Sequence, residues 1–273
     1  MKIFLTGGTG FLGKAIMRVL SHHSYFVYRR GDDIAKQLDE FSPDVIIHSA
    51  GEIYKEDQMI SSNILLTHAI LEHVKLNNHI KMIYFGSSSE YGKKSTAMKE
   101  TDVCDPQNMY AATKTAGTLM CQAYARTYDC DVCVVRPFSV YGDYEPPHRL
   151  IPTLYHKITQ NQPINLIQGT HDFIYILDFV ELVKQVMSSS KTVTQADIIN
   201  AGTGVCHTNV EVAETFARVL NLPVQYTSID KFKSCDSPWW VCDAQHALKR
   251  YNFTAQYDLE KGLAAYKMFL NEH

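Results

Sequence analysis

Thr6-Gly7-Gly8-Thr9-Gly10-Phe11-Leu12-Gly13 lies between a short apolar stretch, Lys2–Thr6, and a segment with helical spacing, Gly10–Leu20. Gly7, Gly10 and Gly13 are spaced GxxGxxG. Glycines at that spacing permit a tight turn, a close backbone approach to a pyrophosphate and close packing of helix on strand. The helix that follows offers unpaired N–H groups and a partial positive charge to an anion. The glycine pattern alone is weak. Its place directly after a strand and at the head of a helix is the context that gives it meaning, a dinucleotide-binding loop.

Outward from this loop the chain alternates. Tyr25–Arg30, Asp44–Ser49, Ile80–Gly86 and Asp131–Arg136 read as strands, with helices over Ile34–Phe41, Gln58–Leu76 and Asn108–Tyr128 between them. The strands are continuous apolar runs, as in a parallel sheet covered on both faces. Alternating strands and helices imply right-handed βαβ units. The predicted fold is α/β, a doubly wound parallel Rossmann sheet with a smaller C-terminal α/β substrate-binding domain. Residues 1–140 form the dinucleotide-binding domain, segments around 171–202 return to it, and 141–273 mainly bind substrate. In that second half Ile151–Thr159, Asp178–Ser188, Thr208–Leu220 and Leu259–Phe269 read as helices, Ala196–Asn200 as a strand and Tyr144–His148 as a turn.

The 273 residues suffice for a sizeable core, and a net charge of −3 argues against a nucleic-acid partner. No apolar run has the roughly 18 residues that a membrane span needs. Seven cysteines, an odd number, and no signal-peptide pattern predict reduced thiols and a cytoplasmic location. Cys130 and Cys133 form a CxxC inside a strand with no second pair to complete a zinc site, so no metal is expected. His207 and His246 also lack metal-ligand spacing.

The second strand ends Tyr28-Arg29-Arg30-Gly31-Asp32. An acid at this tip binds the adenosine ribose of NAD, whereas an arginine accommodates the extra phosphate of NADP. Arg29 and Arg30 therefore predict NADP. In the alternative, Asp32 holds the ribose and NAD is the cofactor. Tyr110 and Lys114 form a YxxxK that sets both side chains on one helix face. A free phenol titrates near 10, and a neighbouring ammonium lowers it, which suits Tyr110 to acid–base work. A surface Tyr and Lys one turn apart would show the same spacing. The serines of Gly86-Ser87-Ser88-Ser89-Glu90-Tyr91-Gly92 end a strand at the cleft, where a hydroxyl can hold a carbonyl; they also suit a plain turn. Ser49, Ala50 and Gly51 end the third strand with side chains small enough for a cofactor to approach.

Taken in order, TGGTGFLG, HSAG (His48–Gly51), GSSSEYG, YAATK, RPFSVYG (Arg136–Gly142), HDFIYILDFV (His171–Val180), NAGTG (Asn200–Gly204) and DLEKGL (Asp258–Leu263) resemble the extended short-chain dehydrogenase/reductases that modify nucleotide sugars. The resemblance runs over nearly the whole chain. It implies Tyr110 as acid/base, Lys114 as its partner and as a ligand of the nicotinamide ribose, and Ser87 as the catalytic hydroxyl. It places Gly7, Thr9, Gly10, Phe11, Leu12 and Gly13 at the pyrophosphate. Ser49, Ala50 and Pro137 fall on the nicotinamide side, and Asn63 beside the cofactor site. Glu52, Ser88, Ser89, Ser139 and His171 become candidate substrate contacts. Trp239 and Trp240 could stack on a base or sugar, or simply pack.

Departures from the family pattern narrow the chemistry. The sugar dehydratases carry Thr-Asp-Glu where this chain has Ser87-Ser88-Ser89, and the fucose-type epimerase/reductases carry a cysteine at Ser89. The family's usual Asn is Ser139, and its usual Arg before Asp172 is His171. The resemblance then implies an NADPH-dependent reductase of a nucleotide-linked 4-keto (6-deoxy)sugar, expected as a homodimer. A nucleotide-sugar 4-epimerase with tightly bound NAD is the alternative, and a non-catalytic dinucleotide sensor a further one.

Overall fold

A computed structural model describes residues 1–191, 195–230 and 239–272. Its elements begin β1 (Lys2–Thr6), α1 (Phe11–Val19), β2 (Ser24–Tyr28), α2 (Ile34–Phe41), β3 (Val45–His48) and α3 (Glu56–Met59). A π-helical turn, Ile60–Leu65, leads into α4 (Leu66–Leu76), β4 (Lys81–Phe85), α5 (Met109–Tyr128), β5 (Asp131–Pro137), β6 (Ser139–Tyr141) and α6 (Leu150–Thr159). Next come β7 (Ile164–Ile167), β8 (Thr170–His171), β9 (Phe173–Tyr175), α7 (Ile176–Ser188), β10 (Asp197–Ala201), β11 (His207–Thr208) and α8 (Asn209–Leu220). The described chain ends with β12 (Tyr226–Ile229), α9 (Gln245–Tyr251) and α10 (Leu259–Glu272).

Six strands form one sheet in the order β2-β1-β3-β4-β5-β10, and every pairing in it is parallel. Strand residues point alternately to opposite faces. Ile3 and Leu5 therefore enter one core layer with Ile47, Ile83, Val135 and helix α7, while Phe4 enters the other with Ile46, Tyr84, Val134 and helix α4. Each fully buried side chain of this kind contributes about 1.5–3 kcal/mol. The chain leaves β1 toward β2 on one side and returns as β3 on the other. At that reversal the loops beyond the strand ends diverge and leave a crevice.

Three two-stranded pairings stand beside the sheet: β6 with β9, β7 with β12, and β8 with β11. The sequence pattern does not announce these, nor α9. The helix expected over Gln58–Leu76 is interrupted by the π turn, which carries the buried Ser62 and Asn63. Strand β2 stops at Tyr28, so Arg29 and Arg30 lie in the turn beyond it, exposed. The six described cysteines are free, and Cys235 lies outside the described residues. Among the described residues no helix is long and apolar enough to cross a membrane, and no cluster of His, Cys, Asp or Glu could hold a metal.

Helix α5, 20 residues long, is seated against β4 by its only interior glycine. A Cβ on Gly117 would lie 2.2 Å from the Tyr84 hydroxyl oxygen. Alanine normally stabilises a helix interior relative to glycine by roughly 0.5–1 kcal/mol. Here the added methyl would force the helix from the sheet, and overpacking of this kind costs about 1–3 kcal/mol. Gly117→Ala is expected to lower the thermal midpoint of unfolding; an unchanged or raised midpoint would contradict the close packing.

Candidate active site

The glycine-rich loop meets the end of β3 backbone to backbone. Gly7 has φ +74°, and a Cβ there would lie 2.7 Å from the Ala50 nitrogen. A Cβ on Gly13 would lie 2.3 Å from the Gly7 carbonyl oxygen, so α1 also starts in direct contact with the loop. The N-cap of α1 is Gly10, which has no side chain to accept from the first N–H groups. Those donors and the dipole of the helix suit a pyrophosphate, and the space beside Gly7 and Gly10 admits one. Behind the loop, Thr6 Oγ1 accepts from the Ala50 N–H at 3.1 Å and bonds His48 Nδ1 at 2.7 Å. Burial holds His48 well below its ordinary value, at about 3, so it stays neutral.

Helix α5 starts at Asn108, whose side chain accepts from the Ala111 N–H at 2.9 Å, a cap that contributes about 1 kcal/mol. Tyr110 follows in the first turn and Lys114 one turn later. Lys114 Nζ is buried and donates to the Phe85 carbonyl at 2.8 Å. Ser87 and Tyr110 line the same cavity as Lys114, so the three side chains expected to do chemistry stand together. Burial lowers Lys114 to about 8, partly opposed by the Glu90 charge. Burial also raises Tyr110 above its ordinary value, while the Ser87 hydroxyl acts in the opposite direction. The expected depression of Tyr110 by Lys114 is thus not what the geometry gives. Removal from water disfavours the phenolate, and the Lys114 ammonium is committed to a carbonyl.

All three line one cavity of about 1000 Å³ at the C-terminal ends of the sheet strands. Gly7, Thr9, Gly10, Phe11, Leu12 and Arg30 line one end of it, with Ser49, Ala50 and Gly51 beside them. Pro137, Ser139, Ser88, Ser89 and His171 line the rest. Gly13, Arg29, Asp32, Glu52 and Asn63 do not line it. Gly13 packs beneath the loop, and Arg29 is exposed in the turn. Asp32 accepts from Gln37 Nε2 at 2.9 Å. Glu52 Oε1 accepts from the N–H groups of Ile53 and Tyr54, both at 3.1 Å, and Oε2 pairs with Arg30 at 3.6 Å. Asn63 clasps the Glu52 backbone, accepting from its N–H at 2.7 Å and donating to its carbonyl at 3.0 Å. It therefore fixes the loop after β3 from behind.

Several lining residues carry no sequence signal of their own. Tyr54 and His148 meet across the cavity, hydroxyl to Nε2, at 2.8 Å, and Arg149 lies beside them. The turn reading of Tyr144–His148 gave no sign of this role. Trp240 lines the cavity and donates to Ser88 Oγ at 3.0 Å, whereas Trp239 is not part of the lining. Among the described residues the lining contains Arg30, Lys114, Arg149, His148 and His171 but no carboxylate and no thiol.

Known proteins resemble this chain in sequence and in fold. The chain is 27% identical to the GDP-L-fucose synthase of Escherichia coli strain K12, with 98% of this chain and 96% of that one covered. It is 22% identical to a dTDP-glucose 4,6-dehydratase of Haemophilus influenzae, covering 81% of this chain and 80% of the other. The UDP-glucuronic acid 4-epimerase from Bacillus cereus, solved with UDP-glucuronic acid and NAD, superposes with a TM-score of 0.88 at 20% identity. That alignment covers 100% of this chain and 99% of the epimerase, and it shows a common fold. Residues 3–202 match the NAD dependent epimerase/dehydratase family, and the chain belongs to it.

Proposed function

We propose that the protein is an NADPH-dependent reductase of a 4-keto sugar, a 6-deoxyhexose, carried on a nucleotide diphosphate. The observation that carries this reading is the make-up of the cavity. It holds a Ser87–Tyr110–Lys114 proton-transfer set, a surplus of cationic side chains and, among the described residues, no carboxylate or thiol. Dehydration, or epimerisation by removing a proton from a carbon next to the ketone, needs a further acid or base, and Ser88 and Ser89 supply none. The cationic surplus suits a ligand bearing phosphates.

The first-turn N–H groups of α1 at Phe11 and Leu12, with Gly7 and Gly10, would hold the pyrophosphate, and Ser49, Ala50 and Pro137 would flank the nicotinamide. Arg30, at the cavity edge, would meet the phosphate that distinguishes NADP. Reduced nicotinamide, when bound, supplies the hydride. Ser87 holds the ketone oxygen, and Tyr110 gives that oxygen its proton. A phenol raised by burial keeps its proton at neutral pH, the state needed for reduction. Lys114 stabilises the phenolate left after transfer, which is where its charge acts. His171 and Ser139 stand where the sugar or its phosphates would lie. A 4-epimerase could use the same three residues, but it would start by taking a proton, for which a raised Tyr110 is poorly set.

Tyr110→Phe removes only the hydroxyl. It is expected to lower ketone reduction by roughly 10²–10⁴-fold while leaving dinucleotide affinity unchanged. Retained turnover would sink the assignment. The pH dependence follows from Lys114. Its cationic form exists below about 8 and is lost above it. For reduction, kcat/KM, which reports the free enzyme, is expected to be level near neutrality and to fall as pH rises through about 8. A rate that climbs through that range would instead point to Tyr110 working as a base.

A further inference from the structure

Behind Ser87, on the side away from the cavity, lies a buried ion pair that the hydride chemistry does not itself require. Glu90 and Arg136 are 0% and 2% exposed. Glu90 Oε2 accepts from Arg136 Nε at 3.0 Å and is ion-paired with Nη2 at 2.9 Å. Its other oxygen, Oε1, accepts from the Ser87 N–H at 2.8 Å. Ser87 Oγ in turn accepts from the Ser89 N–H at 3.1 Å, closing a capping box over the single 3₁₀ turn Ser88–Tyr91. Gly86 makes room for this carboxylate, since a Cβ there would lie 2.3 Å from Oε1. The Tyr91 ring lies 4.5 Å from the Arg136 guanidinium and completes the enclosure.

A capping-box glutamate at the surface would orient Ser87 equally well. Burying it takes two charges out of water, and a buried ion pair is seldom a net source of stability. Its position suggests why the charge is kept. We propose that Glu90 is a positioning residue of the site: its carboxylate fixes the Ser87 backbone from behind and serves as the internal counter-charge of Lys114. The proposal rests on the reading of Ser87, Tyr110 and Lys114 as the reacting set.

Other groups around Lys114 do not take this role. His48 on β3 is neutral, and Cys121 on α5 is held as a thiol by burial. The Tyr84 ring on β4 lies 5.2 Å from Nζ, and its phenol is raised well above its ordinary value. Tyr110, on the same helix, is also raised. Arg136 on β5 is bound to Glu90 itself. Lys114 Nζ bonds the Phe85 carbonyl while Glu90 Oε1 lies against Gly86 and the Ser87 N–H, so both charged groups sit on the same Phe85–Ser87 stretch. Arg136 neutralises part of the Glu90 charge, and the remainder opposes the effect of burial on Lys114.

Glu90→Gln keeps an acceptor for the Ser87 N–H and removes the charge. The Lys114 side chain is followed by NMR in protein labelled with ¹³C at the lysine ε-carbon, and kcat/KM is followed against pH. In Glu90→Gln the Lys114 titration is expected to move down by about one unit or more, with the basic limb of kcat/KM moving alongside it. Glu90→Asp keeps the charge but is too short to reach Ser87. It is expected to leave the titration in place and lower kcat by roughly 10-fold or more through a misplaced hydroxyl. Should Glu90→Gln not fold, Glu90→Gln/Arg136→Met removes both buried charges; losing the Arg136 charge offsets part of the effect, and a smaller downward shift is expected. A Lys114 titration unmoved in whichever of the two folds overturns the proposal. The NMR reading needs no turnover. A shifted titration in a protein that reduces no 4-keto sugar supports the Glu90 role and sinks the reductase reading; an unmoved titration in an active reductase sinks the Glu90 role alone.

Discussion

Gly7 and Ala50 touch through their backbones, and the site depends on that contact. It exists because β1 and β3 are neighbours in the sheet, so the loops that leave them start side by side. With no Cβ on Gly7, the two loops close to form one wall. The first turn of α1 then opens onto the cavity with uncapped N–H groups. Thr6, His48 and Asn63 hold this arrangement from behind through hydrogen bonds to each other's surroundings, while the cavity side is left to a ligand. Positions on the core side of this wall are fixed by packing, and positions on the cavity side are available for chemistry.

The electrostatics divide along the same line. The cavity lining is cationic and, among the described residues, free of carboxylates. The carboxylates nearby are already engaged: Glu52 by the N–H groups of its own loop and Glu90 by Ser87 and Arg136. In the proposed reduction this separation leaves the phenol of Tyr110, beside Ser87 and Lys114, to give the proton. Burial tunes that pair in opposite senses, keeping the phenol protonated and bringing the ammonium to about 8. Both groups are then in the states a ketone reduction requires near neutrality.

Much of this was legible in the residues. Continuous apolar runs such as Ile80–Gly86 announce strands buried on both faces, and β4 is fully buried along its length. The glycine spacing after Lys2–Thr6 locates the loop, and YxxxK locates the head of α5. Less legible features depend on contacts distant in sequence. The two-residue strands β8 and β11 exist because their chains meet, not through any pattern of their own. The π turn that buries Asn63 looks like ordinary helix in the sequence. Arg29, Arg30 and Asp32 stand within a few residues, yet only Arg30 lines the cavity. Which charge faces a ligand is set by where β2 ends, a boundary that composition does not mark. The pKa of Tyr110 follows from burial, and burial cannot be read from a spacing of four.

Net transfer of hydride to a ketone is directly visible in one mixing experiment. The pure protein, offered NADPH and NADH, is loaded with whichever it binds more tightly and mixed with a nucleotide-linked 4-keto-6-deoxyhexose while the absorbance of the reduced nicotinamide is followed. NADPH is expected to bind more tightly and to lose its absorbance in proportion to the protein present. Oxidised NAD that copurifies and does not exchange, with no net oxidation on adding the sugar, would contradict the reductase reading.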